Sequence, residues 1–543
     1  WAPSPFIIYP MPARYIFASV LVISFLGMLV AVASLEVPVS DWTALAPGIE
    51  FRRFSLPDPN NVFVARMDRY NQSATIDSAL AQGSLGSGLE AVSGMAGRAA
   101  DAISNWGMAQ ASPTWGSRGQ AVVAINGSYF DWESSLPQGG QVQSGWYMQR
   151  YQDMGGWSGF AWTLDRQAFM GECVTHLPER QVVAFPETNE LLSIDGVNQA
   201  QRGSGLIVYT PQFGSHTPEA DEGIEVVVQM TRPAMIMPLP AYVTGTVIEI
   251  RPGRGGTPIY FDQLVLAASG QAGQQLAEQA LAGSEVRISQ EITSYLSGCS
   301  TLSAVSWEKT YASVQGAFLF LRGGEIQGFV EDAGAANRHP RTAIAMNERY
   351  IYFIVVDGRN IKESIGMTME ELGLFARDVL GATWGVAQDG GGSSTMVING
   401  EVVNNTYCNN FTCPTKTFTR SQNDEGTPSG PQKSTTPGPP QPLPERYERP
   451  VANGMLMLSI QAPAFSMSYT TGTRLTAGQA LTLYAGPGDN FAALASIPAG
   501  AAGVVVEHAN RLNGISARGE AWWLVDFGGQ VGWAAESALA AMR

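Results

Sequence analysis

Alternating apolar and polar positions recur along most of this chain and predict a strand-rich fold. The alternating runs are short and are bounded by Gly, Pro, Asn and Asp, which is the pattern of strands joined by turns. They predict two strands in 45–70, one that ends at Asn126, three in 314–357, one on each side of the glycines at 390–392, and a last one in 449–460.

Helical periodicity is confined to few segments. Apolar residues at Leu89, Val92, Met95 and Ile103 predict a short helix within 87–105. Residues 367–380 place a second apolar set on one helical face, and Thr368 with Glu371 three residues later has the spacing of a capping box. We therefore expect an α+β fold, with a mixed, strand-rich main domain that contains few helices.

Composition changes along the chain predict its organisation. Residues 15–35 are apolar and uncharged after Arg14, which predicts a secretory signal peptide or an N-terminal membrane anchor within 1–35. Residues 45–460 form the predicted main domain, and the Pro-, Ser- and Thr-rich segment 414–447 is expected to be a disordered insertion. Residues 464–543 form a separate unit of short strands. With such a leader, the remainder would lie outside the cell or at its surface.

Charge and cysteine content narrow the possible partners. The net charge of −15 argues against a nucleic-acid partner, because such a surface cannot replace the counterions of phosphates. Cys408 and Cys413 flank a short loop and can close it, while Cys173 and Cys299 can pair or stay free. With four His and no Cys-x-x-Cys, a zinc site is not expected. We expect no cofactor; the acidic residues permit a divalent metal but do not require one.

Three polar clusters follow predicted strands, where functional residues tend to concentrate. The first is the segment 126–131, which begins Asn126-Gly127; the second combines 339–342 with 356–359; and the third is Asp389 with the glycines and serines of 390–394. Each has an ordinary structural interpretation. Asp-Gly is a common turn pair, a histidine before proline can lie on the surface, an arginine can form a salt bridge, and three glycines can form a hairpin turn.

Together these clusters favour a specific ligand chemistry. The run Gly390, Gly391 and Gly392 leaves backbone N–H groups accessible beside Asp389, which suits an anionic or polyhydroxylated ligand. If the strands around 342–346, 351–356 and 384–388 are neighbours, Asp357 and Asp389 both end strands. The carboxylates, Arg341, His339 and the glycines then suit a phosphate-bearing sugar.

The predicted main domain, 45–460, resembles the phosphodiester glycosidase family. The resemblance is carried, in this order along the chain, by the segments INGSYFD, HPRTAIAM, VVDGR, SIGMTMEELGLF, QDGGGSSTMVINGEVVN and ERPVANGMLM. This resemblance implies hydrolysis of an N-acetylglucosamine-1-phosphodiester-like bond at the anomeric carbon. Two features depart from the family pattern: Ser128-Tyr129 after Asn-Gly, where a second Gly or an Asp is frequent, and the insertion 414–447.

The resemblance also implies residue roles. Asp389 is the first candidate for the carboxylate that attacks the sugar or activates water, and Asp357 is the second. Arg341 would stabilise the phosphate and His339 would transfer a proton. The residues expected to bind substrate are Asn126, Gly127, Gly390, Gly391, Gly392, Ser393, Ser394 and Arg359. For Asn453, a structural role is the favoured interpretation.

The C-terminal unit has its own resemblance. A Gly-Pro-Gly turn at 486–488, the pair Trp522-Trp523 and a Gly-Trp pair at 532–533 resemble a bacterial SH3-type module, a small β-barrel. Such a module implies binding to peptidoglycan or another wall glycan. The two tryptophans are adjacent, so in a strand one points inward and the other outward. The outward one is either a ligand platform or a cover for the barrel.

These observations support one principal hypothesis and two others. The principal one is a secreted or anchored hydrolase that cleaves a sugar-1-phosphodiester of a cell-surface or extracellular glycan. The first alternative is a non-catalytic protein that binds exopolysaccharide or cell wall, and turnover of the ligand would distinguish it. The second is a phosphodiesterase that cuts P–O rather than C–O, which labelled water would reveal.

Overall fold

The computed structural model describes residues 42–99, 103–105, 120–151, 158–163, 165–171, 181–199, 204–230, 242–253, 255–289, 310–329, 332–405, 448–460, 468–508, 514–517 and 520–542. The predicted leader, the segment 414–447 and all four cysteines lie outside these residues. Within the part of the chain that is described, helices are too short or too polar to cross a membrane.

Strands make up most of the regular structure. The strands of residues 43–289 are β1 Thr43–Ala46, β2 Ile49–Leu56, β3 Asn60–Asp68, β4 Ala74–Leu80, β5 Ile103–Asn105, β6 Ala121–Asn126, β7 Gln141–Gln143, β8 Trp146–Gln149, β9 Gly159–Thr163, β10 Ala168–Gly171, β11 Val182–Phe185, β12 Glu190–Ser193, β13 Gly196–Val197, β14 Leu206–Tyr209, β15 Ile224–Met230, β16 Tyr242–Pro252, β17 Gln263–Ala268 and β18 Glu285–Ser289.

The strands of residues 310–541 are β19 Thr310–Gln315, β20 Leu319–Arg322, β21 Glu325–Ile326, β22 Arg341–Met346, β23 Tyr350–Val356, β24 Trp384–Ala387, β25 Met396–Ile398, β26 Glu401–Val402, β27 Asn453–Ser459, β28 Arg474–Ala477, β29 Leu481–Tyr484, β30 Ala493–Ile497, β31 Ala502–Val505, β32 Ile515–Ala517, β33 Glu520–Asp526, β34 Val531–Ala535 and β35 Leu539–Ala541. The helices are α1 Val92–Arg98, α2 Gly270–Gln279, α3 Ala333–Ala336 and α4 Met369–Leu374. A π-helical turn, Phe375–Val379, continues α4.

Two sheets packed face to face form the centre of the molecule. The first has the order β1-β2-β3-β23-β22-β24-β20-β21, and the second has the order β26-β25-β6-β27-β4. Apolar residues from the two facing surfaces, such as Phe353 and Met455, share one buried cluster. Leu372 of α4 packs on the outer face of the first sheet, and Val92 of α1 packs on the outer face of the second. The layers are therefore helix, sheet, sheet and helix.

The central strands are apolar on both faces because both faces are covered. All residues of β22 and all but the first of β23 are buried, which explains their nearly continuous apolar sequence. The helix α4 begins where the sequence predicts: the Thr368 hydroxyl accepts from the Glu371 N–H, and the Glu371 carboxylate accepts from the Thr368 N–H.

Further sheets flank this centre. One has the order β10-β9-β19-β7-β8, and another has the order β12-β11-β18-β16-β15-β17-β14-β13; apolar residues of both share a buried cluster. The C-terminal strands form a sheet in the order β30-β29-β34-β33-β31-β28-β35, with β32 beside β33. The SH3-type module stays a prediction.

Phe261, in the turn before β17, packs against the C-terminal sheet. Its ring lies 5.7 Å from that of Trp533 and 5.8 Å from that of Phe491. Beside it, His508 Nε2 lies 2.8 Å from a carboxylate oxygen of Asp262. Trp523 and Trp522 pack into different clusters, as expected for adjacent residues of a strand, and Trp522 is buried in the cluster that contains Phe261.

The strand-rich α+β class is confirmed, whereas the extent of one predicted helix and one alternative interpretation of the glycine run are wrong. The helix predicted in 87–105 covers only Val92–Arg98, and Ile103 belongs to β5, which pairs with β32. The glycine run is not a hairpin turn, because β24 belongs to the first sheet and β25 to the second. In both cases pairing with a distant segment overrides the local pattern.

Candidate active site

The candidate site lies at one edge of the first sheet, where three strand ends meet. β22 is antiparallel to both β23 and β24, so it begins at the edge where those two strands end. Arg341 at the start of β22 is paired with Val356, the residue before Asp357. Asp389 follows β24 at the same edge. The sheet thus brings Arg341, Asp357 and Asp389 to one edge, as expected if these strands are neighbours.

The segment 388–395 crosses from the first sheet to the second and is fixed by Asn126. The Asn126 amide nitrogen donates to the Asp389 carbonyl at 2.7 Å. Its amide oxygen accepts from the Thr342 hydroxyl at 2.7 Å and from the Thr395 N–H at 3.2 Å. In addition, the Asp389 N–H donates to the Gly127 carbonyl at 2.9 Å. The three predicted clusters are therefore in direct contact.

The glycines allow close approach of arginine side chains to the loop. Gly391 has φ +63° and begins a 3₁₀ turn over Gly391–Ser393. A Cβ on Gly391 would lie 2.9 Å from Nη2 of Arg359, and a Cβ on Gly392 would overlap the guanidinium of Arg449. Arg449 Nη1 also donates to the Ser393 hydroxyl at 3.4 Å. The absence of side chains at these positions thus provides space for the two guanidiniums.

The charges of both arginines act on Asp389. Burial raises the pKa of its carboxyl to about 6, although hydrogen bonds from Ser393 and the Gly390 N–H and the charges of Arg449 and Arg359 lower it. Burial is therefore the largest effect. A carboxyl that titrates near neutral pH can accept a proton during catalysis, whereas one with an ordinary pKa is a weaker base.

Asp357 occupies a different environment. It is 4% exposed, and burial raises its pKa to about 6. Its carboxylate accepts from the Asn404 amide at 3.0 Å and from the Asn405 N–H at 3.0 Å. The charges that alter its pKa are those of Arg53 and Glu363, not those around Asp389. These contacts let Asp357 hold the start of the segment after β26.

Arg341 also makes contacts that are structural. Its Nε donates to the Met367 carbonyl at 2.7 Å, and its Nη2 donates to the Gly334 and Asn337 carbonyls at 2.8 and 2.6 Å. Burial lowers its pKa to about 10. These bonds connect β22 to α3 and to the segment before α4. Arg341 still contributes positive charge to the site, because that charge opposes the raised pKa of Tyr129.

His339 precedes β22, and the charges of Arg341 and Arg359 act on its imidazole. Burial, followed by the positive charges of Arg341 and Arg359, lowers the pKa of this half-buried imidazole. Its backbone is paired with Met367 through hydrogen bonds at 3.2 and 3.0 Å. At neutral pH the ring is therefore expected to be uncharged.

Ser393 and Ser394 are buried within the loop itself.

Asn453, at the start of β27, has the structural surroundings that its sequence position suggests. Its carbonyl accepts from the Gly127 N–H at 2.9 Å. Its amide nitrogen donates to Ser128 at 3.0 Å and to the Gln141 side chain at 2.9 Å. A Cβ on Gly127 would lie 2.5 Å from the Asn453 amide oxygen, so Gly127 allows the two strands to meet closely.

The residues that sequence reasoning missed are Arg449, Tyr129 and Trp132. The Arg449 guanidinium carbon lies 5.5 Å from the centre of the Trp132 ring. Tyr129 and Trp132 are 43% and 47% exposed, and the charge of Asp389 contributes to the raised pKa of Tyr129. Tyr129 lies inside the cluster 126–131, which begins at the Asn126-Gly127 turn signal, and Trp132 directly follows that cluster. The sequence signal for Arg449 is its place shortly before β27, a strand that begins beside the end of β6.

The site can bind an anion beside a carboxylate. Arg359 and Arg449 offer donors and positive charge, as phosphate recognition requires. The expected donors from the glycine backbone are instead used within the protein: the Gly391 N–H donates to the Pro340 carbonyl at 2.9 Å, and the Gly390 N–H donates to the Asp389 carboxylate. Clusters of three or more His, Cys, Asp or Glu side chains able to hold a metal ion are absent from the residues that the structure describes.

Comparison with known proteins identifies a related family. Residues 241–418 match the family model of the phosphodiester glycosidase, which indicates a hydrolase of the glycosidase type. The match covers less than half of the 543 residues. It includes His339, Arg341, Asp357, Arg359 and Asp389, but neither Asn126 nor the missed residues. The search of curated proteins found no match.

Several solved structures are similar at low identity. A hypothetical protein from Synechocystis has 14% identity and a TM-score of 0.47, over 78% of this chain and 64% of that protein. A Burkholderia pseudomallei protein described as exported has 16% identity and a TM-score of 0.44, over 75% of each chain. The auto-inhibited catalytic domain of zebrafish N-acetylglucosamine-1-phosphodiester alpha-N-acetylglucosaminidase has 12% identity and a TM-score of 0.33, over 77% of this chain and 85% of that domain. The chain thus spans less than two thirds of the Synechocystis protein.

Proposed function

We propose that this chain hydrolyses a sugar-1-phosphodiester at the anomeric carbon, with N-acetylglucosamine-1-phosphodiester as the first substrate to test. The observation that supports this most is the Asp389 carboxylate beside a glycine loop, with Arg359 and Arg449 against that loop. The family match over 241–418 is consistent with this reaction. The expected natural substrate is a glycan at the cell surface or outside the cell.

The leaving group explains why the site needs positive charge more than a strong acid. A phosphate diester is ionised at neutral pH, so it departs without being protonated. In the proposed step the C1–O bond breaks and its electron pair stays on the phosphate oxygen. Arg359 and Arg449 would stabilise the charge that develops there.

Asp389 is the proposed catalytic carboxylate. It would accept a proton from water as the water oxygen bonds to C1, or it would itself bond to C1 before water releases the sugar. Asp357 is less suited to this role because the charges of Arg359 and Arg449 act on Asp389 and are not among those that alter the pKa of Asp357. His339 is proposed to assist proton transfer in its neutral form.

The test is product analysis in ¹⁸O-labelled water with an α-N-acetylglucosamine-1-phosphodiester. Wild-type protein is expected to release free sugar that carries the label, while the phosphomonoester stays unlabelled. Asp389→Asn is expected to lower kcat by a factor of about 10² to 10⁴, the usual contribution of a proton-transferring side chain. Asp221→Asn, a change of an exposed carboxylate, serves as the matched control and should leave kcat unchanged.

Other outcomes would contradict the proposal in different ways. Label in the phosphate would identify a phosphodiesterase that cuts P–O. A ligand that binds without being cut, across a panel of sugars, would identify a glycan-binding protein instead. Full activity of Asp389→Asn would remove Asp389 from the reaction.

A further inference from the structure

Arg449 connects the glycine loop to an exposed aromatic ring. Its guanidinium occupies the space above Gly392 and donates to Ser393 at 3.4 Å. The same guanidinium carbon lies 5.5 Å from the centre of the Trp132 ring. A group bound by Arg449 at the loop is therefore also close to Trp132.

Trp132 is held in place although nearly half of it is exposed. Its ring lies 4.7 Å from that of Phe130, which is 8% exposed, and Arg449 lies against it. Trp132 itself is 47% exposed. A fixed aromatic ring offers a large apolar contact that loses little conformational entropy when a ligand binds.

The two sides of the loop differ in chemistry. Near Arg359 lie Arg341, which adds positive charge, and the uncharged imidazole of His339. On the Arg449 side lies the Trp132 ring. A phosphodiester has two ester groups. If the sugar carbon is at Asp389 and the phosphate is held at the loop, the second ester group can extend over Trp132.

We propose that Arg449 and Trp132 form a second subsite, which binds the group on the far side of the phosphate and favours a ring there. This proposal rests on the proposed function, because that reaction places the phosphate at the glycine loop. Arg449 binds the phosphate common to all substrates, and Trp132 stacks on the ring that distinguishes them. The ring can be a pyranose or an aromatic group, since both present a flat apolar face.

The test compares esters that differ only in this second group: α-N-acetylglucosamine-1-phosphate esterified to methyl, to a pyranose or to phenyl. For wild-type protein, kcat/KM should be higher for the ring esters than for the methyl ester. Trp132→Ala should lower the ratio of kcat/KM for ring to methyl esters about tenfold, the size of one aromatic contact. Trp132→Phe should retain most of the ratio.

Two further variants separate the roles. Arg449→Gln should lower kcat/KM for all esters by similar factors, because every ester contains the phosphate. Tyr70→Ala, which removes another exposed aromatic ring, should leave the ratio unchanged. The proposal would be overturned if Trp132→Ala did not alter the ratio of kcat/KM for ring to methyl esters. It would also be overturned if wild-type protein gave the pyranose and phenyl esters no higher kcat/KM than the methyl ester.

Failure of the proposed function gives a different result. If wild-type protein cuts none of the esters, calorimetric titration with the same three compounds tests the subsite alone. Tighter binding of the ring esters that is lost in Trp132→Ala would support the subsite without hydrolysis. Equal binding of all three by wild-type protein would overturn it.

Discussion

Replacing Asp389 by asparagine is expected to stabilise the folded protein at neutral pH while it removes the proposed catalytic carboxylate. Burial raises the pKa of Asp389 from its ordinary value of 3.8 to about 6. The carboxyl therefore ionises more easily in the unfolded chain than in the folded one. As pH rises from about 4 through about 6, the wild-type protein should lose free energy of unfolding and then level off.

The magnitude follows from the two pKa values. Each pH unit corresponds to about 1.4 kcal/mol, so an Asp389 pKa of about 6 against 3.8 corresponds to about 3 kcal/mol above pH 7. Asparagine resembles the protonated carboxyl and does not ionise. The variant should thus exceed the wild type in stability by up to about 3 kcal/mol at pH 8 and by less than about 1 kcal/mol at pH 4.

Urea denaturation of wild type, Asp389→Asn and the control Asp221→Asn at pH 4 and pH 8 measures this difference. The exposed control should be close to wild type at both pH values. Two results would refute the reasoning: no gain for Asp389→Asn at pH 8, or an equal gain at pH 4. Either would mean that the folded protein does not disfavour the ionised carboxylate.

Three other predictions concern the loop and the C-terminal sheet. The kcat/KM of the proposed hydrolysis should fall as the pH drops below about 6, because Asp389 becomes protonated. Since the charge of Arg449 lowers the Asp389 pKa, Arg449→Gln should move the midpoint of this pH profile upward. An unchanged midpoint would contradict the prediction. Gly392→Ala should displace the flexible Arg449 guanidinium and lower activity by at least about tenfold with little loss of stability. Gly97→Ala is the control, because a Cβ there meets nothing within 4 Å, and it should lower neither activity nor stability. Equal losses of activity in Gly392→Ala and Gly97→Ala would refute the prediction. Phe261→Ala should reduce the free energy of unfolding, measured by urea denaturation, by about 3 kcal/mol, as for other buried aromatic residues. A loss well below about 1 kcal/mol would contradict the packing of Phe261 against the C-terminal sheet.

The elements that depend on local patterns could be predicted from the sequence. The strands on each side of the glycines and the capping box of α4 follow from residue spacing within a few positions. The ends of β6, β23 and β24 coincide with the polar clusters, since turn residues interrupt apolar runs there. The placement of Asp357 and Asp389 at one edge of the first sheet follows from the strand neighbours that the sequence suggests.

The use of each polar group depended on tertiary packing. Arg341 suits phosphate recognition by residue type, but in the structure it donates to backbone carbonyls of segments on both sides of its strand. Arg449 lies outside every predicted cluster, yet it occupies the space above Gly392. Sequence spacing does not reveal such contacts, because they form between segments that meet only when the sheets pack.

The sequence by itself determined which strands lead into the polar clusters and where α4 begins, because apolar periodicity, turn preferences and capping act over a few residues. Only the tertiary structure decided that the glycine loop passes between two sheets, that Asn126 connects the three clusters, and that Asp389 rather than Asp357 lies beside Arg359 and Arg449. The physical reason is that burial and hydrogen-bond partners, which set the protonation and the accessibility of a side chain, are properties of the packed chain.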